Sequence, residues 1–171
     1  MLCKRRGGFS LIELLVVMAI MAILLAVAVP SLRGAIRLSE LKQGMANVSN
    51  SLYLARMEAI KTASDCDILF NLADNSFASL PGNLCAIPKT ILPDRISFGW
   101  GPTVNKNVSG DPLPTDGIAF NNDKAYFTPI GTVNAGSIYL TNLEGDTMAV
   151  SISSGGRIKT RRWNGTKFFP K

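Results

Sequence analysis

The chain opens on one long apolar block and closes on short alternating runs, and the change of period between them divides it. After Gly8-Phe9-Ser10-Leu11-Ile12-Glu13, sixteen consecutive apolar residues run from Leu14 to Val29 and stop at Pro30. The 21 residues from Phe9 to Val29 measure about 31 Å as a helix, which matches a hydrocarbon core of roughly 30 Å. Beyond Pro30 the pattern becomes amphipathic: Leu41, Met45, Val48, Leu52, Ala55 and Ala59 recur at spacings of four and three, which is one stripe of a helix. Arg37, Lys42, Asn47, Asn50 and Lys61 fall largely elsewhere, and Gly34 and Gly44 soften the first part of this half. The pattern predicts a continuous helix from Phe9 to about Thr62, roughly 80 Å long at 1.5 Å per residue, whose second half covers a core.

After Ser64 the period shortens. Runs rich in β-branched and aromatic residues at Ile68 to Leu72, Ile96 to Trp100, Ile118 to Phe120 and Ala125 to Thr128 predict strands. Gly99 to Gly117, with Pro102, Pro112 and Pro114, reads as a long surface loop. The end of the chain reads as an antiparallel meander of Ser137 to Thr141, Thr147 to Ser153, Arg157 to Trp163 and Thr166 to Phe169. Its turns are Glu144-Gly145-Asp146, Ser154-Gly155-Gly156 and Asn164-Gly165, the last a good type I′ hairpin turn. The fold class is therefore α+β. One helix, with a transmembrane half and an amphipathic half, packs on an antiparallel β-rich head.

At 171 residues there is room for one globular head and an appended helix, not for two full-sized domains. The 47% hydrophobic content is ordinary, but much of the excess sits in the block before Pro30. The formal charge of +6 is just as uneven. Phe9 to Gly156 carries nine basic and twelve acidic residues, whereas Arg157 to Lys171 carries six basic residues and no acid. Histidine is absent, which removes the usual general base and the commonest metal ligand. No nucleophile motif, paired carboxylate arrangement or catalytic residue stands out, so an enzyme is not expected, nor a cofactor or metal.

Lys4, Arg5 and Arg6 lie immediately before the apolar block and hold that end in the cytoplasm, so the remainder of the chain is exported. Three fates fit this much. The segment could be a secretory signal cut after Ala28, an uncleaved anchor, or a precursor cut between Gly8 and Phe9. Glu13 separates them. A carboxylate in an apolar span costs roughly 2.5 to 3.5 kcal/mol at mid-bilayer and usually has a partner. Cleavage after Gly8 makes the α-amine of Phe9 a cation at the same membrane depth, so Glu13 of one subunit can pair with that amine on its neighbour and set the register between them.

Gly8-Phe9-Ser10-Leu11-Ile12-Glu13, followed by Leu14-Leu15-Val16-Val17, resembles the class III signal of type IV pilins and type II secretion pseudopilins. The resemblance implies that a prepilin peptidase and N-methyltransferase cleaves after Gly8 and methylates Phe9, leaving the helix in the inner membrane with its head in the periplasm. Pro30 matches that group's usual kink. Leu54-Ala55-Arg56-Met57-Glu58-Ala59-Ile60-Lys61 is similar to the helix end of GspH/FimT-type minor pilins, and Gly131-Thr132-Val133 through Gly156-Arg157-Ile158 resembles their C-terminal strands; residues 65 to 116 match only loosely. The implied division is a leader at 1–8, a transmembrane segment at 9–30, an amphipathic half-helix at 31–63 and a β-rich head at 64–171. The implied role is a low-copy subunit that assembles with other pilins, or with pseudopilins in the type II secretion alternative.

The odd count of three cysteines becomes an even pair once Cys3 leaves with the leader. Cys66 and Cys85, 19 apart in an oxidising compartment, are expected to form a disulfide; a free buried pair is the alternative, and a zinc site lacks ligands. In the final basic strand, a period of two puts Arg157, Lys159, Arg161 and Trp163 on one face and Ile158, Thr160 and Arg162 on the other. A basic row ending in an aromatic could neutralise phosphates and stack a base, or could simply guard a sheet edge. Gly156-Arg157-Ile158-Lys159 resembles the Gly-Arg-x-Arg motif of FimT-like proteins that take part in DNA uptake, with Lys in the last place. DNA is thus a candidate partner through Arg157, Lys159, Arg161, Arg162 and Trp163.

Overall fold

The computed structural model describes residues 10–80, 82, 85–110 and 112–170. Helix α1 spans Leu11–Thr62 and passes through Pro30, although that residue has no N–H to donate to the carbonyl one turn back. Ala63 ends the helix in the left-handed region at φ 50°, and the Ser64 N–H closes the last turn on the Ala59 carbonyl at 3.3 Å. By its contacts the chain divides after Ile36 into two units. In the first, the described side chains of α1 are exposed. In the second, α1 changes character at once, because Leu41, Met45, Val48, Leu52, Ala55 and Ala59 are all at most 1% exposed. These are the six residues of the predicted stripe. Each of the four larger ones contributes roughly 1.5 to 3 kcal/mol by leaving water.

Nine strands follow among the described residues: β1 Cys66–Asn71, β2 Ser76–Ser79, β3 Thr90–Ile91, β4 Ile96–Phe98, β5 Lys124–Phe127, β6 Gly136–Asn142, β7 Thr147–Ile152, β8 Ile158–Trp163 and β9 Phe168–Pro170. They form two antiparallel sheets, ordered β3-β2-β1-β5 and β4-β6-β7-β8-β9. The second contains the predicted meander in consecutive order. The α1 stripe, Ile68, Phe70, Phe77 and Phe127 of the first sheet, and Ile138, Leu140, Met148 and Val150 of the second share one core. The opposite face of the second sheet carries a smaller core of Val104, Tyr139, Ala149, Trp163 and Phe168, with Trp100, Val108 and Leu113 against it.

Several predicted elements differ from what forms. Strands β2 and β3 were not foreseen: Ser76-Phe77-Ala78-Ser79 carries one large apolar residue, and β3 is two residues long. Ile118 to Phe120 is not a strand. It makes a single bridge from Ile118 to Ile138, because Gly117 at φ 88° turns the chain on one side and a 3-10 turn at Asn121–Asp123 follows on the other. Among its described residues the loop from Gly99 to Gly117 has no strand, as expected, yet it is not purely a surface loop, since Val104 is 5% exposed under the second core. Asn164-Gly165 does not make a two-residue type I′ hairpin. Residues 164 to 167 separate the pair Trp163 and Phe168, and the Asn164 Oδ1 accepts from the N–H groups of Thr166 at 3.1 Å and Lys167 at 2.9 Å. An Asx turn outcompetes the tighter hairpin because the side chain replaces a main-chain acceptor.

The turn at Asn121–Asp123 yields a pH prediction. Burial first, and the nearby Asp116 carboxylate second, raise the Asp123 pKa above the ordinary aspartate value. The folded protein therefore binds that proton more tightly than the unfolded chain, and the stability this gives is lost as pH rises from the ordinary value through the raised one. Asp123→Asn should be more stable than the parent at neutral pH, with the difference closing in acid, where Asp123 is neutral too. Asn also tolerates the residue's φ of 51°. Thermal midpoints of both proteins across pH check this; a variant less stable at neutral pH contradicts it.

Candidate functional site

Glu13 lies in the first turn of α1, and every described residue from Ser10 to Val29 is exposed. Leu11 is 83% exposed and Val27 71%. Among the described residues α1 is the one helix long and apolar enough to cross a membrane, and none of its apolar stretch is buried. A continuous apolar surface of this size is not left in water; it demands lipid or other apolar helices. Gly8 and Phe9, the expected cleavage and methylation positions, lie outside the described residues, as does Cys3.

Cys66 and Cys85 are joined by a disulfide with Cα atoms 5.3 Å apart, and both are at most 1% exposed. The bond ties the first residue of β1 to the segment between β2 and β3, where regular hydrogen bonding is sparse. Replacing both by Ser is expected to cost about 3 kcal/mol on the chain-entropy account, seen as a midpoint lowered by about 10 °C. The parent with and without reductant should show the same gap, and an unchanged midpoint in either comparison refutes the structural weight of the bond.

The register of β6, β7 and β8 puts Ser137, Ser151 and Lys159 abreast, then Tyr139, Ala149 and Arg161. Arg157, Lys159, Arg161 and Trp163 share the sheet face away from α1, as the period of two requires. The structure does not make them one row for a ligand, however. Trp163 is 8% exposed, packed on Phe168 with ring centroids 5.1 Å apart, and offers no face for stacking a base. Its place at the end of β8, opposite Phe168, puts it under the loop from Gly99 to Gly117. Arg162 lies on the other face and pairs with Asp146 at 3.4 Å. Arg161 donates from Nη1 to the Val108 carbonyl at 3.0 Å. The Val108 N–H donates to the Tyr139 hydroxyl, also at 3.0 Å, and burial raises that phenol's pKa so that it stays protonated. The DNA reading thus loses its aromatic and its fourth cation, and keeps Arg157, Lys159 and Arg161 beside a cleft of about 710 Å³.

Arg56 is the residue whose part the sequence concealed. From α1 it donates through Nε to the Gly131 carbonyl at 3.0 Å, through Nη1 to Gly156 at 3.0 Å and through Nη2 to Gly155 at 3.3 Å. Gly131 follows β5 of the first sheet, and Gly155 and Gly156 form the turn from β7 to β8 of the second. One guanidinium therefore fixes the helix end to both sheets and sets where β8 and its cations begin. The available signal was a cation next to Ala55 of the buried stripe, facing two glycine turns far along the chain.

Residues 3–29 match the prokaryotic N-terminal methylation motif. Behind this motif the chain has an α+β fold, one long helix followed by two antiparallel sheets. No curated protein matches the chain. Among solved structures, the minor pseudopilin EpsH of the Vibrio cholerae type 2 secretion system is similar at 12% identity, covering 71% of this chain and 95% of that one with a TM-score of 0.49. The Pseudomonas aeruginosa type IV minor pilin FimU is similar at 17% identity, covering 77% of this chain and 93% of that one, also with a TM-score of 0.49.

Proposed function

We propose that the chain is the precursor of a minor type IV pilin. A prepilin peptidase removes residues 1–8, Phe9 is N-methylated, residues 9–30 hold the subunit in the inner membrane with the N-terminus cytoplasmic, and α1 then packs among other pilins with the head of residues 64–171 outside. The observation that carries this is a fully exposed apolar run with Glu13 in its first turn, inside a matched methylation motif. A plain secretory signal or anchor has no use for a carboxylate there. A partner amine on the adjacent subunit gives it one.

A minor pseudopilin of type II secretion uses the same chemistry, and the resemblance of Leu54 to Lys61 to FimT-type helix ends favours the pilus. Intact mass of the membrane-extracted protein tests the shared step. The proposal expects a chain beginning at methylated Phe9; one beginning at Met1 or Val29 overturns it. Deleting the gene then separates the two systems, because the pilus reading expects loss of surface filaments with protein export unchanged.

A further inference from the structure

Across the outer face of the second sheet, Ser137, Ser151 and Lys159 lie side by side on adjacent strands. Ser153 and Arg157 form the next row, joined by the Ser153 N–H to the Arg157 carbonyl at 3.1 Å. Together they line the cleft of about 710 Å³. Its wall is the loop at Val108, fixed on both sides: Arg161 holds the carbonyl and Tyr139 receives the N–H, each at 3.0 Å. Asn107 Oδ1 also accepts from the Ser109 N–H at 2.8 Å. The cleft is preformed, and its walls do not depend on a ligand to order them.

Among the described residues the cations of this cleft are not matched by carboxylates. Arg157, Lys159 and Arg161 line it, none of the described lining residues is Asp or Glu, and among the described residues the ion pairs use Arg37, Lys61, Lys89, Lys124 and Arg162 instead. The cations alternate along β8 at about 7 Å, two residues of strand rise. They can meet successive negative groups of an extended polymer and release its counterions. The neighbouring cleft on the same three cations holds Tyr53, but among the described residues no aromatic side chain lines this one, and Trp163 and Tyr139 beneath the loop are buried, so a base seated in it would find no platform. What the lining offers instead is four serine hydroxyls, each able to donate and accept. That combination suits a chain bearing both negative groups and many hydroxyls.

We propose that this cleft binds an acidic polysaccharide, its carboxylates on Arg157, Lys159 and Arg161 and its sugar hydroxyls on Ser137, Ser151 and Ser153. The site is a property of the head and is independent of whether the subunit enters a filament. It is tested on the full chain in detergent micelles, with an oligogalacturonate as probe, its methyl-esterified form as the neutral control, and a single-stranded oligothymidylate of equal charge as the rival. The acidic oligosaccharide is expected to bind at low salt, to weaken as salt rises, and to bind at least about tenfold tighter than either comparison probe. Arg157→Ala with Lys159→Ala should remove most of that affinity. Ser137→Ala with Ser151→Ala should weaken the oligosaccharide several-fold and leave oligothymidylate unchanged. Equal binding of oligothymidylate, equal binding of the neutral ester, serine variants without effect, or no binding at all each overturns the proposal. The ester and oligothymidylate comparisons use the unaltered protein and hold even where a variant folds poorly.

Discussion

Glu13→Ala is expected to leave cleavage after Gly8 intact while lowering incorporation into filaments by roughly tenfold or more. The reasoning starts with the free subunit, where the carboxylate of Glu13 is a burden on the membrane segment; its place in the first turn of α1 lets it reach toward the interface and lighten that burden. In an assembly the balance reverses. On the proposed cleavage and assembly, the amine of Phe9 on the adjacent copy would be drawn to the same depth, and without Glu13 it would be an unpaired cation among apolar side chains. Insertion scales put such a charge at roughly 2.5 to 3.5 kcal/mol at mid-bilayer, and every 1.4 kcal/mol is about a factor of ten. Ala removes the burden from the free subunit and the partner from the assembled one, so the membrane pool should be equal or larger while the filament pool falls. Glu13→Gln, which keeps a hydrogen-bonding side chain without its charge, should recover little. Quantitative blotting of sheared filaments against membranes reads both pools, and mass analysis confirms the cleavage. Incorporation of Glu13→Ala at the parent level refutes the pairing.

The helix was legible because its two halves carry signals that little else in a sequence imitates. A run of sixteen apolar residues ending at Pro30 and a stripe from Leu41 to Ala59 each fix a period over many residues. The meander was legible for a related reason, as β6, β7 and β8 are consecutive, alternating and separated by glycine turns. What escaped was set by partners distant in the chain. Strand β2 is held by its pairing with β1, where Phe77 faces Phe70, and not by its own composition. Trp163 belonged to the predicted face of β8, but period says nothing about what covers a face, and the cover is Val104 and its neighbours, some sixty residues earlier. The same limit applies to the cleft: the cations on β8 were visible in the sequence, whereas the serines beside them depend on strand register and the wall on two contacts at Val108.

Gly156→Ala is expected to lower the stability of the head by about 4 kcal/mol. Gly156 has φ of 75°, and an alanine held there costs roughly 1 to 2 kcal/mol before any contact is considered. Its Cβ would lie 2.5 Å from the Gly131 carbonyl oxygen and 2.7 Å from Arg56 Nε. The carbonyl is main chain and is itself an acceptor of Arg56, so neither neighbour can step aside without breaking the contacts that join α1 to both sheets. Hydrogen bonds to a charged donor contribute about 1.5 to 3 kcal/mol each, and losing one or two accounts for the rest. Gly155→Ala is the control: a Cβ there meets nothing within 4 Å, and its effect should stay within about 0.5 kcal/mol. If the damage passes through Arg56, then Arg56→Met with Gly156→Ala should be well short of additive, as expected for residues sharing one set of bonds. Thermal or denaturant unfolding of the parent and the four variants decides the matter, and a Gly156→Ala midpoint equal to that of Gly155→Ala refutes it. The same numbers explain why glycine precedes Arg157 in this chain: the left-handed turn and the approach of Gly131 require it whatever β8 binds. A loss of anion binding in Gly156→Ala would therefore report a displaced strand, whereas the variants at Arg157 and Lys159 and at Ser137 and Ser151 read the cleft itself.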